Sequence, residues 1–148
     1  LSSSSAASDV YKRQLSTEEV NALMRRIHSI PIMETLSMEI TGLEDGGCTA
    51  VVPRHEQWNG IFETFHGGIL GTIADSITCF AILTKLGAEA KVATTDFNIR
   101  FLRPCLTDVT CKAEVIRPGK TLSLAEAKLY DTNQKLVAIA QVSYIRLE

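Results

Sequence analysis

The chain has 148 residues, 45% of them hydrophobic and 22% charged, and a net charge of −2. This length accommodates one domain with a substantial core and is short for two, and the composition is that of an ordinary globular protein. So small a charge leaves no footprint for nucleic acid, and no uninterrupted apolar run reaches the roughly eighteen residues of a membrane span, the longest being broken at Thr78.

In chain order, residues 1–14 (LSSSSAASDVYKRQ) come first. They carry no initiator Met, no apolar stretch of the kind a secretory signal needs, and no periodicity. They resemble translated adapter sequence at the end of an assembled reading frame. The expectation is that this segment is non-native and that the domain runs over 15–148. Next, LSTEEVNALMRRI places Ser16 as an N-cap, Glu19 as its capping-box partner, and Leu15 and Val20 as a hydrophobic staple. Val20, Leu23, Met24 and Ile27 share one face, which predicts a short amphipathic helix ending near Pro31. METLSMEITGLEDGGCTAVVP reads as two strands joined by a turn at 44–47. A loop rich in Gly, Asn and aromatic residues leads on to His66.

From 67 to 86 the apolar residues Ile69, Leu70, Ile73, Ala74, Ile77, Phe80, Ala81 and Leu83 cover more than one face, the mark of a buried helix. Gly87 closes it, after Lys85 in the last turn. Four strand-like segments follow, at 91–102, 108–117, 121–131 and 136–147. In the first, strict alternation puts Ala93, Thr95, Phe97, Ile99 and Phe101 on one side and Thr94, Asp96, Asn98 and Arg100 on the other. Pro118-Gly119 and the Asp-Thr-Asn at 131–133 are hairpin signals. The order of elements suggests an α+β domain in which one curved antiparallel sheet wraps one long helix, with a short helix in front. Cys48, Cys79, Cys105 and Cys111 lack the C-x-x-C spacing of zinc or redox motifs and read as reduced thiols of a cytoplasmic protein.

One residue does not fit a buried helix. Asp75 stands nine residues after His66 with no charged neighbour in sequence, and an unpaired buried carboxylate costs several kcal/mol. Either a backbone or hydroxyl group pairs with it, or it has chemistry to do. HGGILGTIADS, followed by TTDFNIRFLRP and RPGKTLSLAEAKLYD, resembles the hotdog-fold acyl-CoA thioesterases of the phenylacetyl-CoA (PaaI-like) type, over nearly everything after the first helix.

That resemblance implies hydrolysis of a small aromatic or short- to medium-chain acyl-CoA. Coenzyme A is then part of the substrate, and neither cofactor nor metal is called for. A thioester hydrolase needs a group to polarise the carbonyl and a carboxylate to attack it or activate water. Asp75 would be that carboxylate, as nucleophile or general base. Gly67 and Gly68, at a helix start, would offer backbone N–H groups, or would simply make a tight turn. Thr94 matches the position of a hydroxyl that holds the attacking water in the family, and equally suits a plain strand threonine. The family's Asn or Gln six residues before the His is Gly60 here, so Asn59 or Gln57 is left to fill that role, and Glu63 stands where the family has Gly. His66 suits a helix cap better than a chemical role, though it too borders the substrate site. In similar proteins the region of Arg103, Arg117, Gly119, Lys120 and Thr121 meets the phosphates and pantetheine arm of CoA, although basic residues on hairpins are commonly just solvated. Trp58, Phe62, Phe65 and Phe80 could line an aromatic or a medium-chain pocket equally well.

Gly67 and Asp75 are about 12 Å apart along a straight helix, so one carbonyl cannot meet both in a single chain. This points to a homo-oligomer, a dimer or a dimer of dimers, with active sites shared between subunits; the resemblance implies the same. Two other classes stay open: a hotdog hydratase or dehydratase built on a His–acid pair, and a non-catalytic acyl-CoA-binding module.

Overall fold

A computed structural model of the chain describes residues 13–148. The expectation for residues 1–14 therefore lies almost wholly outside the described part, apart from Arg13 and Gln14. Helix α1 (Thr17–His28) starts as its capping box dictates, with Ser16 Oγ accepting from the Glu19 N–H at 3.1 Å and Glu19 Oε1 from the Ser16 N–H at 3.0 Å. Leu23 and Ile27 are its buried positions. Pro31 does more than stop it: as a first-turn proline it opens a second short helix, α2 (Pro31–Thr35). The sequence reading had no element there.

Strands β1 (Glu39–Glu44) and β2 (Gly47–Val52) form the expected hairpin. A single 3-10 turn (Glu56–Trp58) precedes the long helix α3 (Gly67–Leu86). After it come β3 (Lys91–Phe101), β4 (Val109–Arg117), β5 (Leu122–Tyr130) and β6 (Leu136–Leu147). All neighbours are antiparallel, in the order β1-β2-β4-β5-β6-β3. β4, β5 and β6 are a simple meander. β3 lies beyond them because α3 carries the chain across the sheet before β3 begins, which makes β3 an edge strand.

Helix α3 spans this sheet from corner to corner and packs on all six strands. At its start, Gly67 lies against Phe101 at the end of β3; near its other end, Thr84 Oγ1 accepts from the Gly46 N–H in the β1–β2 turn at 2.7 Å. Leu70, Ile73, Ala74, Ile77, Phe80, Ala81, Ile82 and Leu83 are all buried. By length and composition α3 would also suffice to cross a bilayer, a property that counting uninterrupted apolar residues missed; 61% of its most apolar stretch is instead buried within the fold. Cys48, Cys79, Cys105 and Cys111 are free thiols. Burial pushes the thiol of Cys48 up to about 12 and, with some help from the Asp75 charge, that of Cys79 up to about 11. Both are neutral thiols at physiological pH.

Arg13 does make contacts: its guanidinium hydrogen-bonds Glu19 at 2.9 Å and approaches Asp45 at 3.6 Å. Asp45 Oδ1, which is buried without a hydrogen bond, has Arg13 only at that longer distance, while Asp45 Oδ2 retains Lys85 at 3.0 Å and the exposed Glu19 retains the Ser16 N–H. Exposed ion pairs contribute little. Deleting residues 1–14 is therefore expected to leave activity unchanged and to move the melting temperature by less than about 3 °C; a larger drop in a calorimetric scan would make the segment part of the fold.

Candidate active site

A helix brings residues four apart onto one face, and on α3 one such row is Gly67, Gly71 and Asp75. This row, with Gly68 and Thr72, forms one wall of a groove of about 420 Å³ whose other wall is Thr94, Phe97, Ile99 and Phe101 of β3. The glycines set its width. A Cβ on Gly67 would lie 3.1 Å from Phe101 Cζ, and one on Gly71 would lie 3.5 Å from Phe97 Cζ. The aromatic lining is thus supplied by β3 and not by the residues singled out from the sequence. Phe65 and Phe80 are buried in the core and Phe62 is 83% exposed at a loop tip; neither they nor Trp58 line the groove.

Thr94 reaches this groove through a β-bulge. β3 pairs with β6 as Thr94↔Tyr144 and then Asp96↔Ser143, so Thr95 is an extra residue. Strict alternation would have turned Thr94 away from Phe97. The extra residue resets the phase, and Val92 and Thr94 share the face of Phe97, Ile99 and Phe101. Residues directly opposite in an antiparallel pair also share a face, so Tyr144 of β6 points the same way as Thr94.

The two hydroxyls meet on one oxygen. Thr94 Oγ1 donates to Asp75 Oδ1 at 2.8 Å, and Tyr144 Oη donates to the same atom at 2.8 Å. Tyr144 Oη also contacts the Asp75 backbone oxygen and lies 2.7 Å from Thr78 Oγ1. Asp75 is half-buried and paired, not a fully buried lone acid. Burial, and beyond it the neighbouring Asp75 charge, pushes the Tyr144 phenol up, so it stays protonated and acts as a donor. Tyr144 and Thr78 were missed from the sequence. The available signal was a Tyr at an inward position of β6, since a buried phenol needs a polar partner.

Around the head of α3 the roles are redistributed. His66 caps the helix as expected, its Nδ1 accepting from the Gly68 N–H at 2.9 Å. That removes Gly68 as a free donor and leaves Gly67 as the N–H without a partner among the described residues. Asn59 does not line the groove; its Oδ1 accepts from Arg54 Nη2 at 2.8 Å. The same guanidinium donates to the Glu63 carbonyl, and the Arg54 backbone N–H bonds Asp108 Oδ1 at 2.8 Å. Arg54, which the sequence reading passed over, thus ties together the loop before His66. Gln57 is exposed on the 3-10 turn, with its backbone N–H on His55 Nδ1.

The basic residues do not form one cluster. Arg103 lies beside Gly67, Phe101 and Pro104, at the helix-head end of β3. Lys120 and Thr121 lie with Lys91 and Arg146 at the far end of that strand, roughly 30 Å away at 3.3 Å per residue. Arg117 ends β4 near the same hairpin. Gly119 has a structural reason to be there, since a Cβ would fall 1.9 Å from the Leu122 carbonyl oxygen; its N–H donates to Ser123 Oγ at 3.2 Å. No cluster of potential metal ligands occurs among the described residues.

A six-stranded antiparallel sheet around one long helix, with a carboxylate facing an apolar groove, is the architecture of a hotdog-fold hydrolase. The family model described as Thioesterase superfamily matches residues 62–138. Acyl-coenzyme A thioesterase 13 of Mus musculus is 28% identical over 130 residues, 82% of this chain and 90% of its own length. A Halobacterium salinarum protein bearing the name of an esterase is 33% identical over 100 residues, 64% of this chain and 66% of its own length. Among solved structures, a thioesterase family protein from Silicibacter pomeroyi gives a TM-score of 0.82 at 26% identity, covering 87% of this chain and 98% of that one. The PaaI protein of E. coli shares the fold, with a TM-score of 0.78 at 20% identity, covering 86% and 95%. The chain belongs to the thioesterase superfamily, enzymes that hydrolyse thioesters.

Gly71 offers a test of how the groove is built. An added methyl meets Phe97 at an ordinary van der Waals distance of 3.5 Å, while replacing a mid-helix Gly by Ala stabilises by roughly 0.5–1 kcal/mol. Gly71→Ala is expected to raise the melting temperature by about 2–4 °C. A fall in calorimetry would mean that helix and strand pack closer than described.

Proposed function

We propose that the protein hydrolyses the thioester of a small aromatic or short- to medium-chain acyl-CoA, releasing the free acid and CoA. The observation that carries this reading is Asp75, its carboxylate held by two hydroxyls at the wall of an apolar groove. The acyl group would lie along Phe97, Ile99 and Phe101. The Gly67 N–H, at a helix N-terminus, would stabilise the charge that develops on the carbonyl oxygen. Asp75 attacks the carbonyl carbon or takes a proton from the attacking water; by either route the C–S bond breaks, the thiol of CoA leaves and water supplies the new oxygen of the acid. Arg103 near Gly67, and the Lys91–Lys120–Arg146 end of the sheet, offer positive charge for the phosphates of CoA. Neither metal nor cofactor takes part.

A catalytic donor and a carboxylate must both lie within about 3 Å of the reacting carbonyl group. On one helix the spacing of Gly67 and Asp75 is about 12 Å. The reading therefore includes a second copy of the chain, which supplies the Gly67 end to the Asp75 of the first. β3, an edge strand beside the groove, is well placed to meet it.

Asp75→Asn is expected to lower turnover at least about a hundredfold, with the melting temperature and binding of product CoA retained. A folded variant that keeps more than about a tenth of the parent turnover would make Asp75 structural. The shared site has its own test. Asp75→Asn and Gly67→Pro chains, each inactive alone, are mixed and allowed to exchange; proline removes the N–H and is tolerated in a first helical turn. Half of randomly formed dimers are mixed and carry one intact site each, so activity should return to about a quarter of the parent value. Mixed dimers seen by native mass spectrometry but without activity would place the site within one chain.

A further inference from the structure

We propose that Tyr144 is a positioning residue that, with Thr94, fixes which carboxylate oxygen of Asp75 reacts: Oδ1 is saturated by the two hydroxyls and Oδ2 is the working atom. This rests on the reading of Asp75 as the catalytic carboxylate.

The inference follows from counting protons and acceptors. A carboxylate offers two oxygens and about four lone-pair sites, while each hydroxyl has a single proton. Thr94 directs its proton to Oδ1 at 2.8 Å; Tyr144 Oη stands 2.8 Å from Oδ1 and also reaches the Asp75 backbone oxygen, so its one proton is shared between two oxygens of the same residue. Oδ2 receives no hydrogen bond from any described residue. Two donors draw electron density from one oxygen and leave the other as the better base or nucleophile. They also hold the carboxylate plane, whose torsion is otherwise soft. Tyr144 is itself held. It is 2% exposed and lies 2.7 Å from Thr78 Oγ1, whose own proton is directed to the Ala74 carbonyl at 2.7 Å, so a buried hydroxyl braces the phenol oxygen where it stands. Cross-strand pairing with Thr94 fixes the Tyr144 side chain on the groove face.

The test is Tyr144→Phe, which removes a single oxygen atom, assayed on phenylacetyl-CoA and hexanoyl-CoA beside the parent and Asp75→Asn. A positioning role predicts that kcat falls about tenfold or more while KM stays within about twofold, because the lost contact acts on the attacking group and not on substrate binding. A folded Tyr144→Phe protein with unchanged kcat overturns the inference, as does a rise in KM alone. Should that variant fail to fold, Thr94→Val removes the other hydroxyl on Oδ1; a loss in kcat of about threefold or more at constant KM supports the inference, and an unchanged kcat overturns it. If Asp75→Asn is active, the proposed function itself falls. If it is inactive while Tyr144→Phe is fully active, only the role of Tyr144 falls.

Discussion

Two hydroxyl groups on one carboxylate oxygen hold this site together. Asp75 stands in a helix built of Ile, Leu, Ala and Phe, where leaving a carboxylate without polar partners would cost several kcal/mol. Thr94 and Tyr144 supply those partners from two neighbouring strands. Much else follows from that requirement. β3 must lie beside β6, so that both hydroxyls present to the same helix position. α3 must also approach the β3 edge closely enough for a hydrogen bond, which Gly67 and Gly71 permit by leaving room for the rings of Phe101 and Phe97.

The groove and the core are accordingly made by the same elements with opposite demands. On the side facing β2, β4 and β5, α3 is packed as a core helix, with Ile73, Ile77 and Phe80 buried. On the row Gly67–Gly71–Asp75 the side chains vanish and a wall of small and polar atoms appears. Helical periodicity alone gives this division, because residues four apart stay aligned. The loop before the helix is stiffened in a different way. Arg54 binds both Asn59 and the Glu63 carbonyl, and His66 closes the helix start. A backbone N–H at Gly67 therefore sits between a rigid loop and a rigid helix, which favours a preorganised donor.

Much of the fold was legible because its signals are local. The capping box at Ser16 and Glu19, the all-round apolar helix and the hairpin turns each belong to a few consecutive residues, and the element boundaries follow them closely. Asp75 was legible by contrast, as an acid among apolar neighbours. The partners of Asp75 were not, since Tyr144 lies 69 residues away in sequence and meets it only when β6 has been paired. The bulge at Thr95 was invisible for a related reason: a run such as Ala-Thr-Thr-Asp carries no mark of which residue is the extra one. Alternation therefore placed Thr94 on the side away from the groove, although its hydroxyl meets Asp75. The aromatic wall was misassigned because alternation put Phe97 and Phe101 on one side of a strand without saying what that side faces, and the split of the basic residues depends on strand direction, which composition does not encode.

The extra residue in β3 also bears on how the chain can change length. In a regular strand any one-residue deletion turns every side chain on one flank to the opposite face. β3 carries one residue of slack. If Thr95 were lost, Thr94 would directly precede Asp96 in plain alternation and would still face Asp75, opposite Tyr144. Losing a residue between Phe97 and Phe101 would instead force a choice between the groove-lining rings and the Thr94 hydroxyl. Deletions along this edge should accordingly be tolerated at a single point, directly beside Asp75 and not, as is usual, at the loop ends.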